Sequence, residues 1–278
     1  MNVTAARKPS PPVRRPIGVF DSGVGGLTVV RQLRRLLPGE DIVYLGDTAR
    51  VPYGTKSPPT IVRFACEDAR FLLAQRVKAI VVACNTASAL ALDVLEQKFD
   101  LPVFGVIGPG AQAAVRRTRN HRIGVIATSS TIRSGAYERA IRHADPAAKV
   151  TARACPLLVP LVEEGWLRHP VTDAVLREYL APVLARGVDT LVLGCTHYPL
   201  LKPAIRRVTG AGVTLIDSAE SCAAAVRERL GELHLLNPAT RKGTIQPFVT
   251  DEPGRFRELS RRFLRDAIRP PVHIDLQV

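Results

Sequence analysis

Two cysteines stand out by their setting. Cys84 follows the apolar run Lys78–Ala83 and precedes Asn85, Thr86 and Ser88; Cys195 follows LVLG and precedes Thr196 and His197. Each stands where a buried strand would end and a helix begin, among residue types that cap helices. A thiol at a helix N-terminus is favoured as thiolate by the dipole, so both are expected to ionise readily. One free cysteine is most often a small buried hydrophobe. Two in matching settings call for another explanation. Thiols opposed across a carbon can serve as base and acid, one as thiolate removing a proton and the other as thiol returning one to the opposite face. The outcome is inversion of a stereocentre, with no metal or redox cofactor formally required.

The elements needed to place these thiols alternate along the chain. Ile17–Phe20, Asp41–Leu45, Lys78–Ala83 and Pro102–Val106 read as strands, separated by helical stretches at Leu27–Leu37, Thr60–Gln75 and Ala87–Phe99. The rhythm restarts with strands at Arg122–Ala127, Val150–Ala154, Val188–Gly194 and Val213–Ile216, and helices from Ser134, over Thr172–Ala185 and over Leu200–Val208. A helix near Cys222–Leu230 and the tail from Arg255 are expected to pack back onto one half. Continuous apolar strands between helices indicate parallel sheets covered on both faces.

The halves also echo each other. IGVFDSGVGG at Ile17 matches IGVIATSSTIRSG at Ile123, an offset of 106 residues, and VKAIVVACNTASA at Val77 matches VDTLVLGCTHYPL at Val188, an offset of 111. A duplicated α/β unit can bring equivalent strand ends face to face across a cleft, and ligands of such sheets bind at carboxyl ends of strands. The reading is an α/β protein of two similar, mostly parallel, pseudo-twofold related domains with the active site between them. Residues 16–108 plus 218–278 form the first, 109–217 the second, and 1–15 a disordered basic extension.

Composition narrows the alternatives. The net charge of +14 is spread along the chain, 32 of 39 basic residues are Arg, and only 14 aromatics are present, so no dedicated nucleic-acid function is expected. No apolar run approaches the ~20 residues of a membrane helix, and the N-terminal stretch lacks an apolar core for a secretory signal, which points to the cytoplasm. The five cysteines are odd in number and lack CxxC spacing, so free thiols are expected, with Cys66, Cys155 and Cys222 structural. DSGVGG does not fit the dinucleotide fingerprint, because Thr28 occupies the third glycine position. Zinc on Cys84, Cys195, His197 and Asp21 would lack the usual local ligand spacing.

The segments IGVFDSGVGGLTV, GDTARVPYG, ACNTASA, CPLLVPLVEEG and GCTHYPLL occur in this order from residue 17 to about residue 218. Together they resemble the glutamate racemase family, the cofactor-independent enzymes that supply D-glutamate for peptidoglycan. The resemblance implies two α/β domains, a site between them and neither pyridoxal phosphate nor metal. It makes Cys84 and Cys195 the catalytic pair, the first acting on the D-enantiomer and the second on the L-enantiomer. Asp21, Ser22, Tyr53, Gly54, Asn85, Thr86, Thr196 and His197 match substrate-contacting positions. Thr128 and Thr131 stand where the family has a GTxxT-like run, with Ala127 in place of its glycine. Asp21 is expected near Cys84, and His197 and Glu163 near Cys195, although Glu164 competes with Glu163. A homodimer is expected; the effect on DNA gyrase known for some members is not assignable from these residues.

Three rival readings remain. Aspartate racemases tend to carry an acidic residue where this chain has His197. A cysteine hydrolase using one thiol with His197 leaves the second thiol without a role. A basic binding protein leaves both without one.

Overall fold

The computed structural model describes residues 12–276. Along the chain the elements are β1 Ile17–Asp21, α1 Leu27–Leu36, β2 Ile42–Gly46, α2 Pro58–Ala74, β3 Ala79–Val82, α3 Asn85–Lys98 and β4 Val103–Gly105. They continue with α4 Ile107–Arg117, β5 Arg122–Ala127, α5 Ser129–Arg133, α6 Ala136–Ala144, β6 Lys149–Ala154, α7 Leu158–Glu163, α8 Pro170–Leu184, β7 Thr190–Gly194, α9 Lys202–Thr209 and β8 Thr214–Asp217. The C-terminal part supplies α10 Ser218–Glu232, β9 Ile245–Val249, α11 Pro253–Leu264 and β10 Val272–His273.

Two sheets form, and every strand pairing in both is parallel. The first has the order β10-β9-β2-β1-β3-β4 and the second β6-β5-β7-β8. Removing β9 and β10 leaves the same path in each, with the first strand of the half flanked by its second and third and the fourth outside the third. The duplication read at offsets of 106 and 111 residues is therefore one of topology as well as of sequence. β1, β2, β3 and β7 are buried along their whole length, as parallel strands covered on both faces must be. Strand order reverses beside β1 in one sheet and beside β5 in the other. Loops leaving β1 and β3, or β5 and β7, therefore diverge to opposite faces and open a crevice at the strands' carboxyl ends.

Several elements differ from the sequence expectations. β9 and β10 extend the first sheet from the tail, which reading the chain places only loosely. Pro247 lies in β9 and pairs with Tyr44, while β10 pairs only with Phe248 and Val249. Pro247 thus sits where no outer strand needs its missing N–H. Helix α4, IGPGAQAAVRR, was hidden by Gly108, Pro109 and Gly110, which read as a turn but are tolerated in a helix's first turns. The extension expected to be disordered over 1–15 has a 3-10 turn at Pro12–Arg14, where the Lys78 ammonium donates to the Val13 carbonyl at 2.8 Å; residues 1–11 lie outside the described residues. Among the described residues no helix is long and apolar enough to cross a membrane.

Candidate active site

The cleft between the sheets holds a cavity of about 150 Å3. Both Cys84 and Cys195 line it. Cys84 is the N-cap of α3, two residues beyond β3, and Cys195 directly follows β7. These are corresponding strands of the two sheets, so the topology that repeats the fold also brings the thiols to one space.

The surroundings of the two thiols differ. Cys84 is 6% exposed, and its Sγ lies 3.8 Å from Ser22 Oγ. Burial, reinforced by the neighbouring Asp21 carboxylate, pushes its pKa up to about 12, although the Ala87 N–H at the start of α3 and the Ser22 hydroxyl and N–H pull the other way. The expectation of an easily ionised Cys84 is thus overturned: desolvation outweighs the helix dipole in a site this closed. Asp21 ends β1 and accepts from the Gly23 N–H at 3.2 Å, while its other oxygen is buried without a partner among the described residues. Burial raises its pKa too, against the opposing pull of His197, the backbone and the Cys84 thiol.

Cys195 has a basic neighbour. Its Sγ is 3.9 Å from His197 Nδ1, and His197 Nε2 is 3.0 Å from Glu163 Oε1. Burial disfavours a charged imidazole, but hydrogen bonds to Cys195 and Glu163 win, and the pKa of His197 rises to about 10. His197 is an imidazolium at neutral pH, with both ring N–H groups donating. In turn it holds the Glu163 carboxyl below its ordinary value. Of the two glutamates, Glu163, the last residue of α7, is the one against the imidazole, while the Glu164 side chain is 67% exposed.

The remaining expected residues fall into two groups. Ser22, Tyr53, Gly54, Asn85, Thr86, Thr128, Thr196 and His197 line the cavity; Asp21, Thr131 and Glu163 stand behind it. Thr86, Thr128 and Thr131 form a triangle of hydroxyls 3.0–3.2 Å apart that joins α3 to α5 across the cleft. Asn85 accepts from the Tyr137 hydroxyl at 2.8 Å, and its amide NH2 is buried without a partner among the described residues. The Tyr53 hydroxyl points away from the cavity into a buried cluster, bonded to Asp47 and, at 3.0 Å, to Asp68. Burial, with the Asp47 carboxylate adding to it, drives the Asp68 pKa well above its ordinary value against the pull of Arg50, 3.1 Å away. Tyr53 therefore offers the cavity its ring and backbone only.

Reading the sequence missed Val51, Pro52, Thr55 and Ser129 on the walls, and Pro156, Val159 and Pro160 of the CPLLVP segment. That segment was visible as a motif, but its side chains are apolar and signal no chemistry. The glycines of DSGVGG have a steric purpose. A Cβ on Gly25 would lie 2.6 Å from the His197 ring, and one on Gly26 would lie 2.6 Å from Asp21 Cβ. The turn after β1 is thereby pressed against Thr196 and His197 of the other sheet, and Thr28 Oγ1 closes the contact 3.0 Å from the Thr196 carbonyl.

Known proteins resemble the chain over nearly its whole length. The Asp/Glu/Hydantoin racemase family matches over residues 17–226. A glutamate racemase of Geobacter metallireducens is 51% identical over 263 residues, which cover 95% of this chain and 97% of that one. The solved glutamate racemase isoform RacE1 of Bacillus anthracis superposes with a TM-score of 0.91 at 40% identity, over 94% of this chain and 98% of its own. The glutamate racemase of Francisella tularensis, solved in complex with D-glutamate, gives 0.88 at 41% identity over 95% and 98%. With these likenesses spanning both sheets and the cleft, the chain belongs to the Asp/Glu/Hydantoin racemase family, among its glutamate racemases.

Proposed function

We propose that the cavity binds glutamate and that Cys84 and Cys195 invert its α-carbon by a two-base mechanism, without a cofactor, supplying D-glutamate for peptidoglycan synthesis. The observation that carries this reading is the pair of thiols on corresponding strand ends of one small cavity. Starting from L-glutamate, the Cys195 thiolate takes the α-proton, and the electron pair of the broken C–H bond spreads into the α-carboxylate. The Cys84 thiol then delivers its proton to the opposite face and is left as thiolate. D-glutamate runs the same steps in reverse.

The protonation states suit these roles. With its pKa near 12, Cys84 holds a proton to give, and the His197 imidazolium offers a thiolate at Cys195 its counter-charge. The unpartnered Asn85 amide supplies a donor for a substrate carboxylate, and Ser22, Thr86, Thr128 and Thr196 supply hydroxyls. Such preorganised donors are what a carbanion beside a carboxylate requires. By the family resemblance, the enzyme is a cytoplasmic homodimer whose domains comprise 16–108 with 218–278, and 109–217.

The test is incubation of the purified protein, without cofactor, with L- or D-glutamate in deuterated water. Inversion with deuterium at the α-carbon is expected. Absence of both overturns the reading, and faster inversion of aspartate transfers it to that substrate.

A further inference from the structure

The Cys195 half of the site is completed from an unexpected direction. Helix α7 has six residues, too few to be stable alone; just beyond it the Gly165 N–H donates to the Val162 carbonyl at 3.0 Å, and the Glu163 carbonyl is left to be met from elsewhere. It is met by Arg262 of α11, a helix that packs on α1 beside the first sheet. Arg262 Nη1 donates to the Glu163 carbonyl at 2.6 Å and the Val162 carbonyl at 3.0 Å. The guanidinium lies against Gly165, at φ +79°, where a Cβ would come within 2.9 Å of Nη2. A cation at this end also complements the helix dipole. The next residue, Phe263, is fully buried and sets its ring edge-on to His197, with centroids 5.0 Å apart and planes at 79°. Two consecutive residues of α11 thus hold the Glu163 backbone and the His197 ring.

We infer that Arg262 is a positioning residue for racemisation: by capping α7 from the other side of the cleft it fixes the Glu163 carboxylate on His197, and through His197 the Cys195 thiol. The inference rests on the two-thiol reading of the site. It makes α11 a strap whose seating couples closure of the cleft to assembly of one half of the acid–base machinery. Arg255, on the same helix, adds an exposed cation 3.6 Å from Glu163 Oε2, but its loss leaves the α7 cap in place.

The test is a double-mutant cycle. Arg262→Gln is expected to lower kcat ~10- to 100-fold with KM nearly unchanged, the scale of a positioning loss near 1 Å. The same change in a Glu163→Gln background should cost almost nothing further, because Arg262 acts through Glu163. Arg262→Lys, which keeps a cation at the helix end, should recover part of the activity. The imidazole nitrogens of His197, followed by NMR, should titrate at lower pH in Arg262→Gln.

Independent, additive losses in the cycle overturn the inference, as does an unshifted His197 titration. If Arg262→Gln does not fold, the cycle is run with Arg262→Lys, and additivity there has the same force. Failure of the parent protein to racemise glutamate strikes the two-thiol reading; a slowed Glu163→Gln beside an unaffected Arg262→Gln strikes only this one.

Discussion

Glu163→Gln removes one charge from a chain of contacts running from Glu163 through His197 to Cys195. His197 sits at about 10 instead of its ordinary 6.5, which at ~1.36 kcal/mol per pKa unit is about 5 kcal/mol of preference for the imidazolium. Cys195 and Glu163 share that preference, so losing the carboxylate should remove about 2 kcal/mol and lower the His197 pKa by roughly 1.5 units. This agrees with the ~1.5–3 kcal/mol of a hydrogen bond to a charged group. Because the folded-state value lies above the ordinary one, this stabilisation is complete below pH 6.5 and is lost as pH rises through 10. The alkaline limb of kcat/KM should therefore move from near pH 10 to about 8.5 in the variant, while at neutral pH His197 stays protonated and a ~10- to 100-fold loss comes from the imidazole that Glu163 no longer holds in place. The two enantiomers have equal free energy, so the loss must be the same in both directions, which provides an internal control. The assay is a pH profile of both directions beside an NMR titration of the His197 nitrogens. A His197 titration that stays where it is in the parent protein refutes the reasoning, whatever the rate does.

Other variants separate the remaining roles. Cys84→Ala should abolish inversion yet leave slow α-deuterium uptake into L-glutamate through Cys195, and Cys195→Ala should do the converse with D-glutamate; NMR of each enantiomer in deuterated water reads both, and uptake into the wrong enantiomer rejects the facial assignment. Gly25→Ala forces a methyl against the His197 ring and should cost ~100-fold in kcat, since a shift near 1 Å suffices; parent-like kinetics would mean the two loops yield freely. Tyr53→Phe strips a buried hydroxyl from Asp47 and Asp68 and should destabilise the fold by ~1–3 kcal/mol in denaturant titration, whereas an unchanged midpoint would show that the carboxylate cluster is satisfied without it.

Much of this site is legible from the chain because its chemistry lies at strand ends. Asp21, Cys84, Thr128 and Cys195 each stand within two residues of the end of an apolar run, and apolar runs are what a reader of sequence sees best. The offsets between the halves then give the pairing of the thiols. Contributions from sequence-distant elements stay hidden. Arg262 and Phe263 are nearly 100 residues from Glu163 and belong to a helix whose motif says nothing of the cleft. The direction of the Tyr53 hydroxyl depends on a carboxylate cluster built from β2 and α2 and closed by Thr250. Cys84 shows a different limit. Its position at a helix start is local and readable, but its burial is a property of the assembled cleft, and burial sets the sign of its shift.

The twofold repeat explains why the thiols match and also why their neighbours do not. A rotation exchanges Cys84 with Cys195, but L- and D-glutamate are related by reflection, which no rotation of a protein can reproduce. In the proposed mechanism the substrate's carboxylates and ammonium stay nearly fixed while only the α-hydrogen changes face, so the groups that hold them cannot themselves obey the twofold. The groups around the two thiols differ accordingly. The triangle of Thr86, Thr128 and Thr131 crosses the cleft without a rotated copy among the described residues, and Asp21 beside one thiol is answered by His197 and Glu163 beside the other. Equal energies of the two enantiomers require only that the summed barrier be common to both directions. They leave each half free to reach it with different charges, an anion beside the Cys84 thiol and an imidazolium beside Cys195.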